Sequence, residues 1–197
     1  MSSWLDEAKR LDVAVYAAVA ATPSPTLDRF MRRLSHAADY SRLSVSAAAV
    51  LAVTRGPAGR RAAGRGLASI GVTSAVVNLV VKPLSRRRRP DRAAQSVPFA
   101  RQVPMPTSSS FPSGHSAAAF AFATGVGQVL PSAAVPLRAL AALVAYSRVH
   151  TGVHYPGDAI VGSLIGGALA QATVHALEAH RTGVRPPAAA RRRSRRG

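Results

Sequence analysis

The sequence predicts an all-α fold, a bundle of about five or six helices held in a membrane. Its apolar content of 48% contains only 5% aromatic residues, so Ala, Val, Leu and Gly carry it. Small residues let helix backbones approach closely, which suits packing in lipid. The charges gather between apolar blocks instead of alternating within them. A chain of 197 residues without an internal repeat has room for one domain.

The elements follow in order. Residues 1–10 (MSSWLDEAKR) are polar, and LDVAVYAAVAA after them is short and lacks a convincing cleavage site. Residues 1–24 therefore read as a partly interfacial helix ahead of a main domain at 25–178. Leu43–Thr54 and Gly66–Val81 are uncharged, Ser113–Leu130 holds only His115, and Ala134–Ser147 is interrupted only by Arg138. Ala159–Leu177 holds only His175. A full span needs about 20 apolar residues, so several blocks reach it only with flanking arginines that snorkel. Gly162, Gly166 and Ala170 form a small-residue stripe suited to close helix contact. The competing reading is a soluble bundle of buried helices, which the mean hydropathy of +0.11 permits. Against it, the blocks lack the polar face of a surface helix.

Between the blocks, Pro83–Pro112 is a long Arg-, Pro- and Ser-rich loop, and Arg148–Gly157 is a shorter one. If the flanking blocks cross the membrane, both emerge on one face. Loop 55–65, the Pro131–Arg138 turn and the tail at 179–197 then lie on the other. That tail is basic, low in complexity and expected to be disordered. The arginines of loop 55–65 and of the tail favour a cytoplasmic side for them, hence an extracytoplasmic site in a multi-pass cell-membrane protein.

There are no cysteines, which excludes disulfides, thiolate metal sites and cysteine nucleophiles. The 26 Lys+Arg against 8 Asp+Glu give a net charge of +18, pointing to an anionic partner.

Three clusters can carry chemistry, all at block ends on the same expected face: KPLSRRRRP, FPSGHS and SRVHTGVHYPGD. Singly each has a plain explanation as an interfacial anchor, a helix start or a structural histidine. Their convergence does not. Lys82, Arg89 and Arg148 can grip non-bridging phosphate oxygens, and the helix opening at Ser113-Gly114 offers backbone donors to an anion. Pro156 suits an early helical position, putting Asp158 in the first turn, where it can reach back to His154 and leave one ring nitrogen free to attack phosphorus. His115 has no obvious acid partner and is the better candidate to protonate a leaving alkoxide. His150 competes for either role but lies in the loop without a matched carboxylate. His36, His175 and His180 read as structural or surface residues. A metal site from His115, His150, His154 and Asp158 is opposed by the surrounding cations.

Together the clusters resemble the signature of the type 2 phosphatidic acid phosphatase (PAP2) family: Lys-x6-Arg-Pro, Pro-Ser-Gly-His and Ser-Arg-x5-His-x3-Asp. Here these are Lys82 to Arg89-Pro90, Pro112 to His115, and Ser147-Arg148 to His154 to Asp158. The resemblance implies a helical core shared with vanadium chloroperoxidase and a site at the core helix ends. It implies His154 as nucleophile, Asp158 as its orienting partner, His115 as general acid, and Lys82, Arg89, Ser113, Gly114 and Arg148 as phosphate ligands, with no metal or other cofactor. LSHAADYSRL and VKPLSRRRRP also resemble the phosphatase half of bacterial fusions with a lipid kinase.

The expected activity is removal of phosphate from a lipid: phosphatidic acid, phosphatidylglycerol phosphate, or a polyprenyl phosphate or pyrophosphate, including a prenyl-linked sugar phosphate. Two alternatives stand beside it. One is a vanadium-haloperoxidase-like enzyme, although those enzymes are larger and soluble. The other is a non-catalytic basic protein that neutralises membrane or nucleic-acid phosphates. No specific nucleic-acid partner is expected, the tail is expected to contact anionic headgroups, and the oligomeric state is open.

Overall fold

The computed structural model describes residues 4–22 and 24–182, and these are helical without strands. The basic tail expected at 179–197 lies outside the described residues from 183 onward. Helix α1 spans Trp4–Ala21, with Asp6 and Glu7 complementing the dipole of its first turn. Helix α2, Pro25–Ala37, starts on proline and is amphipathic, burying Asp28, Met31, Leu34 and Ser35 while Arg29, Arg32 and Arg33 stay exposed. A turn at Asp39–Ser41 leads into α3, Arg42–Thr54.

Helix α4, Gly56–Val76, passes through a π-turn at Val77–Val81 into the short α5, Lys82–Ser85, making one rod of 30 residues. Residues 86–113 are irregular apart from a single turn at Phe99–Arg101. Helices α6 (Gly114–Gly127), α7 (Pro131–His150) and α8 (Pro156–Thr182) follow.

Two expectations are corrected. Residues 55–65 are not a loop: only Arg55 separates α3 from α4, and Arg60, Arg61 and Arg65 ride on the first turns of α4. Nor is Pro131–Arg138 a turn, because Pro131 opens α7 and Pro136 lies inside it, where it forgoes the i−4 hydrogen bond to the Ser132 carbonyl without ending the helix.

The core is a central helix with three neighbours: α6 packs against α4, α7 and α8 and is buried on most sides. The small-residue stripe of α8 makes this possible. A Cβ on Gly162 would lie 2.5 Å from the carbonyl oxygen of Ser113, Gly166 meets the backbone of Ala117 as tightly, and Ala170 is fully buried. The stripe thus serves contact within the chain. Large apolar side chains, among them Val50, Val53, Leu79, Ile160 and Leu164, are turned outward instead. Gly56–Ser85 and Pro156–His180 are long and apolar enough to cross a membrane.

The irregular segment 86–113 is tied down by Arg101, which is fully buried. Its guanidinium donates to the carbonyls of Val19 (3.0 Å) and Thr22 (2.8 Å) at the end of α1, satisfying acceptors that the helix leaves orphaned. It also pairs with Asp28 of α2 at 3.1 Å. This anchor carries the segment over the end of the bundle where α5 and α7 finish and α6 and α8 begin.

Candidate active site

His154 sits in the short connection between α7 and α8. Gly152, at a φ of 73°, reverses the chain there, and the N–H groups of Val153 and His154 both donate to the Arg148 carbonyl (3.1 and 3.2 Å). Pro156 opens α8, so Asp158 falls in its first turn and accepts the Tyr155 N–H on Oδ2 at 2.9 Å. The His154 ring is buried, its Nδ1 3.6 Å from Asp158 Oδ2, a few tenths of an ångström beyond a hydrogen bond. Its Nε2 faces the guanidinium of Arg89 at 3.3 Å. Burial pushes His154 down from the usual 6.5 to about 4; the Asp158 contact opposes this, and Arg89 and Arg148 add to it.

Asp158 is fully buried and held from several sides. The Ser110 hydroxyl donates to Oδ2 at 2.5 Å, and Arg87 Nη1 donates to Oδ1 at 2.9 Å. The Ser113 N–H donates to the Asp158 carbonyl at 2.9 Å, so the starts of α6 and α8 are pinned together. Ser113 is the N-cap of α6, its hydroxyl accepting from the Ser116 N–H (3.4 Å) and hydroxyl (2.9 Å).

The cations arrive from three elements. Lys82 follows the π-turn, and its Nζ donates to Ser108 Oγ at 3.3 Å; a Cβ on Gly114 would lie 3.5 Å from the same nitrogen. Arg89 donates from Nη1 to the Val153 carbonyl (2.7 Å) and from Nε to the Ser108 carbonyl (2.9 Å). Arg148 is buried in the last turn of α7, donates to Ser35 Oγ at 2.5 Å and lies 3.7 Å from Asp39.

His115 has the acid partner that local sequence did not reveal. Its Nε2 lies 3.1 Å from Asp39 Oδ1, and the other oxygen of that carboxylate lies 3.5 Å from His36 Nδ1. The partner is presented by the corner between α2 and α3, far away along the chain. Tyr40 and Ser41 take φ of 54° and 57° there, a left-handed pair of non-glycine residues that costs about 1–3 kcal/mol each. His150 is also corrected: it ends α7 instead of lying in a loop, and its Nε2 is 2.7 Å from Asp28 Oδ1. It therefore belongs to the Arg101 anchor and not to the cleft. His175 and His180 are exposed on α8. Among the described residues no three His, Asp or Glu side chains gather as a metal site.

A cavity of about 200 Å³ opens beside these groups, between α3, α4, α6 and α7. Its lining mixes polar groups, Lys82, His115, Asn78, Ser41, Ser44 and Ser74, with the aliphatic Leu43, Val77 and Val144. A narrower crevice continues past Ala47, Phe122 and Leu140. A second hollow of about 380 Å³ lies over His115 and Arg148, walled by Asp39, Tyr40 and Val103–Pro106.

Residues 63–181 match the PAP2 superfamily. The chain belongs to that superfamily. It is 34% identical over 170 residues to decaprenylphosphoryl-5-phosphoribose phosphatase of Mycobacterium tuberculosis, covering 82% of this chain and 88% of the relative. It is 38% identical over 157 residues to the phosphatase of the same description from Mycolicibacterium smegmatis, covering 76% and 78%. Among solved structures, LpxE of Aquifex aeolicus superposes with a TM-score of 0.68 at 25% identity, over 84% of this chain and 95% of that one. The PAP2-type phosphatidylglycerolphosphate phosphatase of Bacillus subtilis gives 0.65 at 24% identity, over 92% and 90%.

In this PAP2 chain the three motifs come together at one end of the bundle, and further residues join them that motif reading passed over: Arg87, Ser110, Asp39 and Asp12. Arg87 was visible only as one of four consecutive arginines, and Ser110 as one of three consecutive serines. Periodicity has no hold on irregular backbone, so nothing local marks which member of either run turns inward.

Proposed function

We propose that this PAP2 enzyme, a membrane phosphatase acting on a lipid phosphate, works through a covalent phosphohistidine on His154. The observation that carries the reading is the His154 ring itself: buried, with Nδ1 toward Asp158 and Nε2 toward Arg89. Depression to about 4 keeps that ring neutral and nucleophilic near pH 7. Nε2 attacks phosphorus as the bond to the lipid oxygen breaks. Lys82, Arg89, Arg148 and the start of α6 at Ser113-Gly114 hold the equatorial oxygens, where the charge is spread. Burial and Arg148 push His115 down to about 4 as well, while Asp39 opposes them. The negative charge of a phosphate beside it raises it further, so that His115, oriented by Asp39, gives its proton to the leaving alkoxide. Water then attacks phosphorus, the P–N bond breaks, His115 takes a proton from the water, and phosphate leaves with His154 restored. The positive charge around the cleft opposes a divalent ion.

The cavity beside His115 and Lys82 supports a substrate whose leaving group is polar near phosphorus and apolar further on. Hydroxyls and an amide line the cavity that holds Lys82 and His115, and the adjoining crevice is apolar apart from Ser44. A prenyl-linked sugar phosphate has that order of parts, and the mycobacterial relatives are named for such a substrate. In the reading we favour, residues 25–178 form the multi-pass catalytic domain. The end bearing Arg55, Arg60 and Arg61 is cytoplasmic and the site is extracytoplasmic. Phosphate release from a panel of prenyl-linked sugar phosphates, polyprenyl pyrophosphates, phosphatidic acid and phosphatidylglycerol phosphate, with EDTA present, tests both parts. His154→Ala and His115→Ala are expected to abolish release while remaining folded in detergent. Full activity in His154→Ala would refute the mechanism.

A further inference from the structure

Helix α1 lies outside the 63–181 segment that matches the superfamily and outside every motif, yet it reaches the catalytic pair. Asp12, largely buried, accepts from Arg87 Nη2 on Oδ2 at 2.5 Å and from the Gly157 N–H on Oδ1 at 2.6 Å. Arg87 uses its other terminal nitrogen on Asp158. The same guanidinium lies 4.4 Å above the Tyr155 ring, and Tyr155 meets Tyr16 of α1 edge to face at 5.5 Å. Gly157 is where the two helices touch: a Cβ there would lie 3.0 Å from Asp12 Oδ2.

We propose that Asp12 and Arg87 are positioning residues for the Asp158–His154 pair, which makes the N-terminal helix part of the catalytic unit. The proposal rests on the reading of His154 as nucleophile. Asp158 has to offer Oδ2 to the His154 ring while staying ionised. Arg87 fixes the other oxygen and supplies the counter-charge. Alone, a full cation against Asp158 would draw the carboxylate away from histidine. Asp12 shares that cation, and its second oxygen fixes the first turn of α8, on which Asp158 stands. The two carboxylates are thus set apart by one planar fork, a geometry that lysine cannot reproduce.

The test uses the full chain in detergent with a lipid phosphate substrate. Asp12→Asn and Arg87→Gln are each expected to lower kcat on the order of ten- to a hundredfold, through a displaced nucleophile, with little change in KM. Their pH profiles should part. His154 also faces Asp158, Arg89, Arg148 and His115, which are unchanged in both variants. Loss of the negative charge moves the acidic limb of kcat/KM to lower pH, and loss of the positive charge moves it to higher pH, each by about 0.5–1 unit. Asp12→Glu should recover part of kcat. If both limbs coincide with the parent while only the yield of folded protein falls, α1 merely docks and the proposal is overturned. His154→Ala separates the two claims. Activity there defeats the phosphohistidine reading itself, whereas an inactive His154→Ala with unmoved limbs in the other variants defeats the brace alone.

Discussion

Gly162→Ala adds one methyl group where α8 crosses the start of α6. The new Cβ would stand 2.5 Å from the Ser113 carbonyl oxygen. An ordinary contact needs about 3.4 Å, so the helices must part by about 0.9 Å at the level where the Ser113 N–H holds the Asp158 carbonyl. Overpacking of this kind costs ~1–3 kcal/mol, offset by ~1 kcal/mol from replacing glycine with alanine in a helix. The net loss of stability is therefore at most about 2 kcal/mol. Catalysis should suffer more. One side of the gap carries His115 and Ser113, the other His154 and Asp158, and a misplacement of about 1 Å at a reacting centre costs on the order of a hundredfold. Gly167→Ala is the matched control, since its Cβ would meet only Thr124, at 3.9 Å. The assays are phosphate release from micellar lipid phosphate and thermal unfolding in the same detergent. Wild-type kcat in Gly162→Ala, or equal damage from Gly167→Ala, would refute the account of α6–α8 contact.

Other expectations follow from the same geometry. Because His154 is held near 4, the enzyme's own acidic limb in kcat/KM should lie well below 6.5, and a limb near 6.5 that moves with substitutions around His154 would contradict this. Asp39→Ala removes the partner of His115 and a neighbour of Arg148, so kcat should drop on the order of tenfold or more, whereas His36→Ala, on the exposed side of that carboxylate, should change it little. Steady-state kinetics of the pair distinguishes these. Asp28→Ala leaves fully buried Arg101 without its ion pair and should destabilise the fold by ~3–5 kcal/mol, read as a lowered midpoint of unfolding in detergent.

The helical architecture was legible because apolar blocks with charges at their ends have few other solutions, and because Ser113 and Pro156 mark helix starts chemically. The pairing of His154 with Asp158 was legible for the same reason, since both stand within one turn of a proline that fixes the register. The loop expected at 55–65 failed on composition: arginine reads as an interruption in an apolar block, yet it is a good helix former and its stem extends along the rod. Asp39 and Asp12 could not be read at all as site residues. Each touches its partner across a corner of the tertiary fold, and a single sequence holds no distance between positions 39 and 115 or between 12 and 87.

The π-turn at Val77–Val81 has a consequence for how one rod can serve two masters. A helix advances by about 100° per residue, so an extra residue in one turn resets the phase of everything beyond it. Up to Val76 the rod is phased for packing, with Gly66, Ser69 and Thr73 buried in the bundle. On the adjoining face Ser74 and Asn78 line the cavity, and the wider π-turn brings Lys82, eight residues after Ser74, back onto their line instead of letting it drift round the rod.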